Sequence, residues 1–259
     1  MRLLYITSNR IGDAVLSTGL LDHLLRRHPG AATTIACGAL AAPLFRAVPG
    51  LERLIVLEKR SWNRHWLGLW RQVVGTRWDL VVDLRDSAVG YALRARRTIR
   101  HRRLPGVHVV EELAALVDAA PPPLPRLWID PASEAEAARL MAPARGAPVI
   151  ALAPIANWPG KQWPLERFGA VAEALAAPGG ALPGARFAIL TAGGAEAEAA
   201  APLLARLGPD RAFALGGLDL ALVGASLRRC ALLVGNDSGL MHMAAAAGIP
   251  TLGLFGPTD

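Results

Sequence analysis

Residues 232–259 read LLVGNDSGLMHMAAAAGIPTLGLFGPTD, and few folds can accept such a run. Leu232, Leu233 and Val234 form an apolar stretch ended by Gly235, which predicts a buried parallel strand. Asn236-Asp237-Ser238-Gly239 is turn and helix-capping chemistry, and residues 240–247 are strong helix formers. Gly248 and Pro250 stop that helix, and residues 251–255 predict a second strand before Gly256-Pro257-Thr258 turns away. A strand–helix–strand unit of this kind puts the helix N-terminus at the carboxyl ends of the strands. Unpaired backbone N–H groups and the positive end of the helix dipole favour an anion there. Open α/β sheets bind ligands at this edge.

Three spaced pieces of the segment, Asn236-Asp237-Ser238-Gly239, His242 and Phe255-Gly256-Pro257-Thr258-Asp259, resemble the C-terminal signature of glycosyltransferase family nine. These are the heptosyltransferases of lipopolysaccharide core synthesis. An ordinary nucleotide-binding unit with a capping Asp-Ser explains the same segment taken alone, so the rest of the chain must decide.

The length of 259 residues allows one large or two modest α/β domains. Cys37 and Cys230 stand in apolar contexts without metal-type spacing and predict buried free thiols. The six histidines form no close pair on one helix face, so neither a metal site nor a cofactor is expected. No stretch reads as a secretory signal, and the long uncharged C-terminal run is broken by Gly-Ile-Pro. A soluble, cytoplasmic protein is expected. The formal charge of +7 is uneven: from Arg53 to Arg103 there are thirteen basic and four acidic residues. That bias suits either an anionic partner, such as a phosphorylated glycolipid or a membrane surface, or a solvated arginine-rich face. The run of Arg94, Arg96, Arg97, Arg100, Arg102 and Arg103 matches no nucleic-acid-binding module.

From the amino end, residues 2–7 predict a strand, Ser8 to Asp13 a turn, and residues 14–28 a helix with Val15, Leu16, Leu20, Leu21, Leu24 and Leu25 at helical spacing. Asp13 then falls at or near the helix N-cap, with no capping box behind it. Arg10-Ile11-Gly12-Asp13, the helix and His28-Pro29 also resemble the family's amino-terminal motif. Gly19 stands where proline is common in the family, a departure expected to be neutral. Strands are predicted over 33–36, 54–57 and 79–84, and helices over 39–47, 62–75 and 109–119. The strand over 79–84 presents Arg85-Asp86-Ser87 at its carboxyl end. Trp62, Trp66 and Trp70, four apart, read as a packing stripe rather than a ligand platform. Pro121-Pro122-Pro123 with Pro125 makes a stiff connector, and a helix over 133–141 follows it. A fresh strand over 149–153 then places the domain boundary near Gly146, giving domains 1–145 and 146–259.

The second half opens on a loop from Pro154 to Pro164 and a helix over 165–177. Trp158 to Phe168, with Lys161 before Trp163-Pro164, resembles the family's lysine-bearing loop, although Ile155 replaces a usual glycine and Asn157 a usual Ser or Thr. A strand over 186–191 and a helix over 195–207 follow. Glu196 either favours that helix's dipole or, by the resemblance, meets the donor's ribose. Leu218 falls where the family lines its adenine pocket.

The resemblance implies an α/β protein of GT-B type: two Rossmann-like domains with parallel sheets, the first binding acceptor and the second the nucleotide sugar. Family members continue past Gly-Pro-Thr-Asp, so it also implies a second domain incomplete at residue 259. The implied reaction is inverting, metal-independent transfer of heptose from ADP-heptose to the lipopolysaccharide inner core. Asp13 is the expected general base, and Lys161 with the N–H groups of Ser238, Gly239 and Leu240 the expected diphosphate site. Asp237 is expected at sugar hydroxyls, because like charges repel; His242 either supports the loop or touches the donor. Asn157, Glu196 and Leu218 complete the expected donor site, and Arg60, Arg64, Arg94 and Arg97 form the expected acceptor face. Alternatives are a GT-B transferase with another nucleotide sugar and a shortened donor-binding relative without catalysis. A nicotinamide enzyme is disfavoured, since neither half carries G-x-G-x-x-G after its first strand.

Overall fold

Parallel strands covered on both faces need unbroken apolar runs, and β1 (Arg2–Ile6) has one: Leu3, Leu4, Tyr5 and Ile6 are fully buried. The computed structural model describes residues 1–58, 61–101 and 104–256. It divides into two units, Met1–Trp128 and Ile129–Asp259.

In the first unit β1 is followed by α1 (Ile11–Arg27), β2 (Ala32–Gly38), β3 (Leu51–Leu57), α2 (Arg64–Val73), β4 (Trp78–Asp83), β5 (Ala95–Arg100) and α3 (Val109–Ala115). The five strands pair in parallel in the order β3-β2-β1-β4-β5. Strand order therefore reverses between β1 and β4, and that gap is where open α/β sheets hold ligands. The Tyr5 hydroxyl donates to the Ser17 carbonyl at 2.7 Å, pinning α1 to β1, and burial pushes that phenol well above its ordinary pKa.

The first unit departs from the sequence expectations in three places, and Gly19 adds a constraint that the sequence did not show. Residues 39–47 hold only a short 3-10 turn, Ala42–Phe45, whose four side chains are all buried. Trp62 leaves the expected stripe: its φ of 56° takes it out of helical geometry and it is 95% exposed, while Trp66 and Trp70 pack on the core. β5 was hidden by its arginines; an edge strand with solvent on one side tolerates them. Gly19 is not interchangeable with larger residues. A Cβ there would lie 2.3 Å from the Pro123 carbonyl, because the proline-rich segment crosses α1 at that point. The Arg126 N–H donates to Thr18 Oγ1 at 2.8 Å and holds the crossing in place.

The second unit comprises α4 (Pro131–Leu140), β6 (Val149–Ala153), α5 (Leu165–Ala176), β7 (Arg186–Thr191), α6 (Ala195–Leu207), β8 (Ala212–Gly216), α7 (Leu220–Leu227), β9 (Leu232–Asn236), α8 (Gly239–Ala247) and β10 (Thr251–Leu254). Its parallel sheet runs β10-β9-β6-β7-β8 and reverses between β6 and β9. Phe168 and Ala172 of α5 and Leu203 and Leu207 of α6 close over Ile150, Leu152, Phe187, Ile189 and Val234. Each large side chain buried in this way contributes about 1.5–3 kcal/mol. The division between units falls earlier than Gly146 for a local reason. Helix α4 belongs with α7: Arg228 and Arg229, just beyond α7, reach Glu134 of α4 at 3.1 and 3.6 Å.

Gly248 caps α8 in the left-handed conformation (φ 83°), as its sequence context predicts. Both cysteines are free and buried, with thiols pushed up to about 12 by desolvation. Among the described residues, no helix is long and apolar enough to cross a membrane.

Candidate functional site

Each sheet carries its own constellation at its reversal point. In the first unit the chain leaves β1 through Ser8 and enters α1 at Ile11. The N-cap is Arg10, in extended conformation, and no side chain caps the helix. Asp13 is thus in the first turn rather than at the cap, and its carboxylate accepts a hydrogen bond from Ser8 Oγ at 3.1 Å. Ser8 Oγ in turn accepts from the Arg10 N–H at 3.1 Å and from the Arg85 guanidinium at 3.3 Å.

Arg85 comes from the far side of the reversal, just after β4. The fully buried Asp83 shapes that turn: its carboxylate accepts the Arg85 and Ser87 N–H groups, both at 2.9 Å, and the Ser87 hydroxyl at 2.7 Å. Burial pushes the Asp83 carboxyl up from its ordinary range, against the lowering effect of those donors. Asp86 bends the chain at φ 46°. Gly90 is required nearby, since a Cβ there would fall 2.8 Å from Asp83 Oδ2.

A cavity of about 360 Å³ opens over this cluster, lined by Ser8, Arg10, Asp13, Arg85, His101 and Glu112 among others. Glu112 is buried; it meets His101 Nε2 at 2.9 Å and accepts the Leu104 N–H at 2.6 Å, anchoring both residues. Sequence reasoning placed Arg85 at a strand's carboxyl end without giving it a site, and it missed His101 and Glu112. An isolated His and Glu eleven residues apart give no local signal; only the β5–α3 connection brings them to Asp13's cavity.

In the second unit the loops after β6 and β9 meet across the reversal. Asn236, fully buried, donates from Nδ2 to the Pro154 carbonyl at 2.6 Å and accepts the Trp163 N–H on Oδ1 at 3.1 Å. One amide thereby clamps both ends of the lysine-bearing loop. Lys161 Nζ sits 2.5 Å from Asp237 Oδ2, both side chains mostly buried. The chain beyond β10 packs so closely that a Cβ on Gly256 would lie 2.5 Å from the Gly160 carbonyl.

Ser238 precedes α8 in extended conformation without capping it. Among the described residues its buried hydroxyl finds no hydrogen-bond partner. Unspent donors at a helix N-terminus beside a lysine are an anion-binding arrangement. Gly239, Leu240 and the half-buried His242 follow in the first turn of α8.

The remaining expected donor residues lie along the same carboxyl edge. Asn157 is exposed in the loop after β6. Glu196 follows β7 and accepts the Ala192 N–H at 2.8 Å, closing the glycine turn before α6. Leu218 follows β8, half-buried.

The described basic residues expected to form one face do not all lie at one edge of the sheet. Arg60 lies outside the described residues. Arg64 opens α2, near the carboxyl end of β3, whereas Arg94 sits by the start of β4, where its carbonyl accepts the Trp78 N–H at 3.0 Å. Arg97, in β5 opposite Leu80, lines a different cavity at the amino ends of the strands. Pro257, Thr258 and Asp259 of the C-terminal signature also lie outside the described residues. No group of three His, Cys, Asp or Glu able to hold a metal ion occurs among the described residues.

The family model for glycosyltransferase family 9 (heptosyltransferase) matches residues 84–259, which include the lysine loop and the β9–α8 turn. The chain belongs to glycosyltransferase family 9. It is 28% identical to lipopolysaccharide heptosyltransferase 1 of Pseudomonas aeruginosa over an alignment 299 positions long, gaps included, covering all of this chain and 79% of the relative. The glycosyltransferase family 9 structure from Veillonella parvula superposes with a TM-score of 0.82 at 21% identity, covering all of this chain and 82% of that one. The Escherichia coli ADP-heptose lipopolysaccharide heptosyltransferase II gives 0.77 at 23%, covering 100% and 86%. These structures share the GT-B fold seen here.

Proposed function

We propose that this family 9 glycosyltransferase moves heptose from ADP-heptose to the lipopolysaccharide inner core with inversion at the anomeric carbon. The observation that carries the donor half is the second unit's reversal point, where Lys161, the α8 N-terminus and the unpartnered Ser238 hydroxyl converge beside Asp237. A diphosphate there meets one ammonium and several free N–H groups, which can stabilise the charge it gains on leaving without a metal ion. Asp237 repels phosphate and takes sugar hydroxyls, holding the Lys161 ammonium in position meanwhile. Leu218 lines the base pocket, with Glu196 and Asn157 at the ribose and loop side.

The acceptor half is the Asp13 cavity of the first unit. Asp13 takes the proton from the acceptor hydroxyl as that oxygen attacks the anomeric carbon. The new glycosidic C–O bond forms while the bond to the β-phosphate oxygen breaks, and the electron pair departs with ADP. The Ser8 hydrogen bond orients the carboxylate, and Arg85 holds Ser8. Arg10 and Arg85, rather than the scattered Arg64, Arg94 and Arg97, give the cavity its affinity for an anionic glycolipid. Such an acceptor brings the enzyme to the cytoplasmic face of the inner membrane.

Calorimetry with ADP tests the donor site. Lys161→Ala is expected to weaken ADP by about 1–3 kcal/mol, the loss of one charge-assisted contact. Unchanged affinity would remove Lys161 from the site, and tighter binding of UDP or GDP than of ADP would replace the donor.

A further inference from the structure

The first unit holds a second cavity, of about 700 Å³, at the amino ends of its strands, opposite the edge that carries Asp13. Its floor is apolar, formed by Leu24, Leu80, Ile99 and Val117. Its rim carries the guanidinium groups of Arg27, from the end of α1, and of Arg96 and Arg97, from β5, with the His28 ring beside them. Asp79 is the one carboxylate among the residues lining it, and its charge is already engaged. It accepts the Arg2 N–H at 2.8 Å and lies 3.9 Å from Arg96. No described carboxylate pairs with Arg27 or Arg97. His23 Nε2, on the cavity wall, is buried without a hydrogen-bond partner among the described residues.

Cations around a low-dielectric floor focus a positive field into the space. The carboxyl end of α1 works against an anion there, and the guanidinium of Arg27 in its last turn offsets that effect. The volume falls in the range of small-molecule sites and exceeds what a bare phosphate ion fills.

We propose that this cavity binds a phosphate-bearing organic anion, held by Arg27 and Arg97, at a site separate from the transfer chemistry and independent of the reading given above. Its phosphate could belong to a free metabolite or a lipid headgroup; the chemistry that recognises it is the same.

The test is calorimetry of the full chain with fructose 1,6-bisphosphate as the free probe, and co-sedimentation with phosphatidylglycerol vesicles as the lipid probe. The variants are Arg27→Gln/Arg97→Gln, Asp79→Asn and Lys161→Ala. Bisphosphate binding should fall at least about tenfold in the double arginine variant, rise severalfold in Asp79→Asn and stay unchanged in Lys161→Ala, with ADP affinity constant in the first two. Vesicle binding lost in the double variant, without bisphosphate binding to the wild type, identifies the lipid headgroup as the source. Binding that depends on Lys161 alone, or that is indifferent to Arg27 and Arg97 for both probes, overturns the proposal. If the double variant does not fold, Asp79→Asn decides, and unchanged affinity for both probes there overturns it as well.

Discussion

Asp13 separates two demands on one carboxylate. A capping aspartate accepts a backbone N–H, but here Asp13 sits inside the first turn and its contact is the Ser8 hydroxyl. Helix α1 therefore owes it little beyond a favourable charge near the dipole's positive end. Asp13→Asn keeps an acceptor for Ser8 and removes the capacity to take a proton at neutral pH. Turnover is expected to fall about 10²–10⁴-fold, while ADP affinity and melting temperature barely change. Steady-state kinetics beside a thermal melt checks this, and near-normal turnover would leave Asp13 without a catalytic role. Asn236 makes the complementary case, a residue whose work is positional. Its two amide hydrogen bonds hold both ends of the lysine loop in a fully buried place. Asn236→Leu strands the Pro154 carbonyl and the Trp163 N–H and is expected to cost about 1–3 kcal/mol per group left unmet. Urea unfolding measures that loss, and ADP affinity should drop along with it.

At the scale of elements, regular periodicity and stop signals made most of the fold legible. The strand–helix–strand unit at the carboxyl end and the Gly248 cap follow from apolar runs punctuated by Gly and Pro, and the family resemblance implied the two parallel sheets. Hidden from sequence were elements whose reason lies in their neighbours. β5 carries Arg96, Arg97 and Arg100 and reads as a charged run until β4 is placed beside it. Helix α4 reads as the tail of the first domain until Arg228 and Arg229 claim Glu134. Arg85, His101 and Glu112 meet Asp13 only because parallel crossovers return distant segments to one edge. Gly19 belongs to the same class: its sequence context is an ordinary helix, and its constraint is the Pro123 carbonyl crossing above it. Gly19→Ala should raise local helix propensity and yet destabilise the protein by about 1–3 kcal/mol through overpacking. Denaturant titration decides between the two effects, and a stabilised variant would contradict the crossing contact.

For the molecule as a whole, the two sheets repeat one device. Each reverses strand order at its centre, and each places its polar chemistry in the gap that results: Ser8, Asp13 and Arg85 in one unit, and Lys161, Asp237 and the α8 N-terminus in the other. In the proposed reaction the carboxylate of the first unit accepts a proton and the cationic site of the second accepts a diphosphate. The central claim is that together they transfer heptose from ADP-heptose. The direct measurement is to incubate the purified protein with ADP-heptose and heptose-deficient inner-core glycolipid, following ADP release and the acceptor's mass. The account predicts ADP release matched one for one by acceptor heavier by a single heptose residue, with inverted anomeric configuration. Absence of heptosylated product while ADP-heptose binds at the Lys161 site, or retention of configuration, would contradict it.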